Sequence, residues 1–179
     1  MEWLVLIGIL VTIFFYWNVR QNRRKKQLAQ IVKLADIFII SLHSRICQGN
    51  TRLCAVSLDK WIETFNVAAV FMFAELLLNV SLSETAKMRL GREYLEYVAS
   101  KYANSLELYQ ELSDFLVEGS RIQSLRPQST DELVCKWIFL RFFDRRYQVG
   151  DSRALQAIDE AHTILMHTLA DLMELQPKS

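Results

Sequence analysis

The sequence predicts an all-α protein, a single N-terminal transmembrane helix followed by a four- to five-helix cytosolic bundle. Three observations lead there. An uncharged apolar run stands near the start, from Trp3 to Val19. Glycine and proline are scarce, 5 and 2 among 179 residues, whereas a multi-stranded sheet needs a turn every few residues. Further along, apolar residues recur at steps of three and four, the spacing of helical faces.

The first run, WLVLIGILVTIFFYWNV, is broken only by Thr12 and Asn18. At 1.5 Å per residue it spans roughly 25 Å, close to the ~30 Å of a hydrocarbon core. Trp3 marks one edge and Tyr16 and Trp17 the other, where amphipathic rings settle among lipid headgroups. A cleaved signal peptide has positive charge before the apolar run and small residues after it. Here Glu2 precedes the run, and Phe14, Phe15, Tyr16 and Trp17 close it. Arg20, Arg23, Arg24, Lys25 and Lys26 follow at once. The positive-inside rule puts this collar in the cytosol and the N-terminus outside a cell or inner membrane. The same charges suit anionic lipid. Residues 1–27 are thus read as a single-pass anchor with its basic collar, and 28–179 as a helical cytosolic domain.

No glycine or proline lies between Gly8 and Gly49. The pattern predicts helix continuing into Leu28, Ile31, Ala35, Phe38, Leu42 and Ile46, a face widened by Ile37, Ile39 and Ile40. So broad an apolar face needs cover on most sides. The loop Gln48-Gly49-Asn50-Thr51 ends it. Ser57 is the expected N-cap of the next helix, with Val56 and Trp61 as a hydrophobic staple. That helix turns almost wholly apolar through VAAVFMFAELLLNV. Its shortness and the Glu75 inside it fit a buried core helix better than a second span, which takes about 20 apolar residues.

Ser81-Leu-Ser-Glu84 reads as a capping box opening a long amphipathic helix. Along it Met88, Gly91, Leu95, Val98, Tyr102, Ser105, Tyr109, Leu112 and Leu116 alternate in threes and fours, a coiled-coil-like seam. Arg89–Glu93 and Arg92–Glu96 are i,i+4 pairs on its outer side. Gly119 and Pro127 close it, and Ser129-Thr-Asp-Glu132 is a second capping box. Beyond Gly150-Asp-Ser, a last helix carries Leu155, Ile158, His162, Leu165, Leu169 and Leu172 on one face.

The chemistry these residues offer is thin. A formal charge of +1 provides no global field for nucleic acid or acidic substrates. The stretch Lys136–Tyr147 interleaves basic and aromatic residues, but on a helix its charges scatter round the axis, as in a packed aromatic helix. Cys47, Cys54 and Cys135 lack a disulfide-framework spacing. His43, Cys47 and Cys54 are conceivable zinc ligands, one short of four and without a Cys-x-x-Cys knuckle. His162 and His167 turn about 140° apart and cannot share a metal. No HExxH, glycine-rich phosphate loop, GxSxG or CxxC occurs. No catalytic, cofactor or metal residue and no small-molecule substrate is therefore assigned.

The expectation is a tethered, non-enzymatic interaction or scaffold subunit. Its partners are the lipid bilayer and other proteins, or further copies of itself. The candidate partner seam is Met88, Leu95, Val98, Tyr102, Tyr109, Leu112 and Leu116, weighed against plain internal packing. The alternative is a membrane-perturbing effector, of toxin or phage-defence type, that oligomerises in the bilayer.

Overall fold

Local sequence signals set where each helix begins and ends. The computed structural model describes residues 26, 29–122, 129–144 and 151–174. The Trp3–Val19 run, with Trp3, Tyr16 and Trp17, and the collar residues Arg20, Arg23, Arg24 and Lys25 lie outside the described residues. Within them, helix α1 covers 29–47. It is followed by α2 (Thr51–Cys54), α3 (Leu58–Leu78), α4 (Glu84–Lys101), α5 (Ser105–Ile122), α6 (Thr130–Phe143) and α7 (Ser152–Glu174). No strand occurs among the described residues.

Side-chain oxygens satisfy the open amides at four helix starts. Asn50 accepts from Arg52 and Leu53 ahead of α2, Ser57 from Lys60 ahead of α3, and Ser129 from Glu132 ahead of α6. Each such cap is worth about 1 kcal/mol. The α4 cap differs from expectation. Ser83 caps it, accepting from Ala86, and Ser81 does not. The chain uses Asn79–Leu82 for a turn, in which Val80 donates to Leu77 and Leu82 to Val80.

The bundle also has more helices than the four or five expected. The supposed continuous helix over the seam is two, because the chain leaves helical geometry at Tyr102, whose backbone is extended (φ −126°, ψ 113°). Ser105 then starts α5, and its N–H donates to Tyr102 O at 3.1 Å. At the break the Tyr102 hydroxyl donates to Asp36 Oδ1 at 2.9 Å.

Successive long helices run up and down. Trp61 donates its indole N–H to Ile39 O at 3.0 Å, and Asn66 Nδ2 donates to Asp36 Oδ1 at 2.9 Å. Rising numbers in α3 thus meet falling numbers in α1. In the same way Phe73 meets Tyr94 and Leu78 meets Lys87 across α3 and α4. Trp61 stacks on Phe142, Cys135 faces Asp159 and His162 faces Asp131, so α6 descends α3 and α7 climbs back along α6.

Helix α3 is the centre, touching α4, α5, α6 and α7 as well as α1. Trp61, Phe65, Val67, Ala68, Ala69, Val70, Met72, Phe73 and Leu77 are all buried, on every side of the helix. Burying each large side chain stabilises the fold by about 1.5–3 kcal/mol. By length and composition this helix could cross a membrane, and 61% of its most apolar stretch is buried inside the bundle. Apolar on all sides is what a helix enclosed by five others requires.

Candidate functional site

One buried polar cluster centres on a carboxylate that the sequence pattern passed over. Asp36 lies inside the apolar α1 run IVKLADIFII and is 5% exposed. Such a charge needs partners from other elements. It accepts from Asn66 Nδ2 and from the Tyr102 hydroxyl, each at 2.9 Å, and pairs with the Lys101 ammonium. Asn66 is oriented by a second bond, Nδ2 to Ile62 O at 2.9 Å. Burial alone would lower the Lys101 pKa, but the hydrogen bond and charge of Asp36 outweigh it and the pKa rises. The fully buried Tyr94 hydroxyl has no hydrogen-bond partner. Burial, and then the negative charge of Asp36, push its pKa up. The cluster ties α1, α3 and the end of α4 in one register. A lone acid in an apolar run was the signal available for it.

A second group lies where α3, α6 and α7 meet. His162, 2% exposed, has Nε2 at 3.7 Å from Asp131 Oδ1. Burial lowers the His162 pKa, against the upward pull of Asp131 and Asp159. Burial raises Glu75, with Asp131 adding to it and a Thr130 hydrogen bond opposing. Cys135 points its sulfur to Asp159 Oδ1 at 3.6 Å, and burial followed by that charge keeps it a thiol. A neutral imidazole and a protonated thiol beside carboxylates make a poor nucleophile pair, since attack needs the thiolate.

Of the conceivable zinc trio, Cys47 meets both His43 and Cys54. Cys47 Sγ is 3.6 Å from His43 Nε2, which also lies 3.3 Å from Val56 O, and the imidazole meets the Trp61 ring edge-on at 5.3 Å. Burial pushes the Cys47 thiol up to about 11, helped by its hydrogen bond to Cys54. A raised thiol pKa opposes the deprotonation that zinc binding requires. Among the described residues no group of three or more His, Cys, Asp or Glu is arranged to hold a metal ion.

Of the seam residues, Val98 and Leu112 are wholly buried, and Leu95, Tyr102, Tyr109 and Leu116 pack partly buried against the core. Met88 alone of the seven stands out, 70% exposed. The described part of the aromatic stretch is a packed helix up to Phe143, with Trp137, Ile138, Phe139 and Phe142 inside, and its last three residues lie outside the described residues. Glu111 of α5 grips it, accepting from Trp137 Nε1 at 3.0 Å and from Arg141 at 3.4 Å.

Among the described residues, exposed apolar side chains gather at two places. On α1, Leu34, Ile37 and Ile40 face outward, Ile37 being 56% exposed. At the α3–α4 corner, Leu78 (65% exposed), Val80, Leu82 and Met88 are also open. Leu78 and Met88 line a groove of about 370 Å³ together with Ala74, Leu77, Gly91, Leu95 and Tyr109. These residues define an all-helical bundle with a finished core and bare apolar faces. Compared with protein-family models, curated proteins and solved structures, the chain matches none.

Proposed function

We propose that the protein is a membrane-anchored, non-enzymatic interaction subunit. Its Trp3–Val19 segment spans the bilayer once, and its helical domain lies in the cytosol and meets protein partners through the outer face of α1. The observation that carries the reading is the Leu34–Ile37–Ile40 face. It stays bare although the inner side of the same helix, Ile31, Val32, Ala35 and Ile39, is fully used in the core. Core packing therefore does not account for the outer residues. Apolar area left in water near the anchor is the kind of surface that a partner covers, and confinement to the bilayer raises its effective concentration. The interhelical polar bonds support the same reading, since the partners of buried Asp36 and of exposed Glu111 tie helices together.

Purification in mild detergent tests it. A defined partner, or a second copy, should accompany the wild-type chain and leave the Ile37→Glu variant, whose helix content is unchanged. Recovery of a lone wild-type monomer, or equal recovery with the variant, refutes the reading. A membrane-perturbing effector is the second reading, favoured by the span-like composition of α3. That role needs α3 to leave its enclosure and predicts depolarisation on overexpression. An unchanged membrane potential refutes it.

A further inference from the structure

We infer that the α3–α4 corner is a second membrane contact, in which Leu78, Val80, Leu82 and Met88 rest in the lipid headgroup–acyl boundary and fix the tilt of the bundle. The inference rests on the anchored reading above. It begins from direction. α1 and α3 are antiparallel, with Asp36 beside Asn66 and Ile39 beside Trp61. From Asn66 to Leu78, α3 climbs about 18 Å, while from Asp36 back to residue 29 α1 covers about 10 Å. The chain therefore enters the bundle, from the side of the apolar run and basic collar, at the end where the corner lies. The corner reaches about one and a half helical turns past residue 29.

The composition of the corner suits lipid better than water. Four large apolar side chains are exposed within eleven residues, 78–88. Near them, Glu84 and Lys87 neutralise each other at 3.0 Å, and Lys87 also donates to Leu78 O at 3.1 Å. The turn Asn79–Ser83 offers serine and asparagine side chains, which tolerate headgroup polarity. The helix end at Leu78 is already sealed by Asn79 and Val80 N–H bonds to Leu76 and Leu77. α7 also finishes near this end, with Leu172 and Met173 half-buried and His167 and Asp171 exposed. That mixture fits headgroup depth and not the hydrocarbon interior. The opposite end carries an isolated exposed Leu58, with no comparable cluster among the described residues.

The contact commits to one occupant, a bilayer containing anionic lipid, and photocrosslinking tests it. The full chain is reconstituted in phosphatidylcholine–phosphatidylglycerol vesicles with benzoylphenylalanine placed singly at Leu82, Met88 or Leu58. All three positions are exposed, so the core is undisturbed. Carbonate washing first shows whether the chain stays with the vesicles. The expected result is retention, with lipid adducts from 82 and 88 and none from 58. Retention without lipid adducts at 82 and 88 overturns the inference while the anchor stands. Adducts of twice the chain mass at those positions assign the corner to a second copy and overturn it as well. Release by carbonate removes the anchored reading and the inference together.

Discussion

Replacing Lys101 with methionine should cost more stability than replacing Asp36 with asparagine, although both break the same ion pair. The difference lies in which partner can reach water. Asp36 is 5% exposed, whereas the Lys101 side chain is 44% exposed. In Asp36→Asn the lysine swings into solvent, and the introduced amide oxygen still accepts from Tyr102 or Asn66. The expected loss is about 1 kcal/mol, the value of an ordinary hydrogen bond. In Lys101→Met the carboxylate stays inside with only the Tyr102 hydroxyl and the Asn66 amide to stabilise it. Stranding a buried charge costs about 3–5 kcal/mol, and the open lysine side discounts that to about 2–3. The double variant should lose less than the two singles summed, because no charge is then left unpaired. Urea denaturation of the full chain in mild detergent, followed by helical circular dichroism and tryptophan fluorescence, measures all three. If Lys101→Met is the milder single change, or if the two losses simply add, Asp36 is hydrated and the register argument fails.

Gly91→Ala should raise stability by about 1 kcal/mol, because the residue is mid-helix in α4 and nothing lies within 4 Å of the added methyl. A lower denaturation midpoint would show that the groove beside it closes on the helix. Asp144→Gly should add roughly 0.5–1 kcal/mol, since Asp144 ends α6 at φ 48° and sets a negative charge at the negative helix end; loss of midpoint in the same titration refutes it. His162 has a lowered folded pKa, so its contribution is complete above pH 6.5 and is lost as pH falls from there through the lowered value. The stability gap between wild type and His162→Leu should therefore narrow from pH 7 to pH 5. A gap that stays constant means that His162 does not remain neutral in the fold.

The short-range features were the ones a reader of the sequence could recover. Ser57 and Ser129 cap where their spacing to the next apolar residues says they should. The apolar run after Trp61 reads as core, and its side chains are enclosed by neighbouring helices. The cap at Ser83 went to Ser81 because both serines precede Glu84 and only the turn through Val80 separates them. The break at Tyr102 was hidden for a different reason. Heptad spacing continues through Tyr102 and Ser105, and no glycine or proline marks the stop. What bends the chain there is tertiary, the bond from Tyr102 to a carboxylate 66 residues away. Asp36 was missed by the same limitation, since a pattern of apolar positions says nothing about the polar residue sharing the face. Of the seam, Val98 and Leu112 are buried while Met88 is 70% exposed, and periodicity by itself cannot tell an internal surface from an external one.

During synthesis α3 leaves the ribosome before any of α4 to α7 exists to shield it, so for a time its apolar length is open to capture by lipid. Two residues weigh against its capture. Asn66 in the first half and Glu75 near the end each resist transfer to hydrocarbon. In the folded domain Asn66 bonds Asp36, which reaches it from the helix made just before. The same amide that locks two helices together thus also disfavours α3 in hydrocarbon.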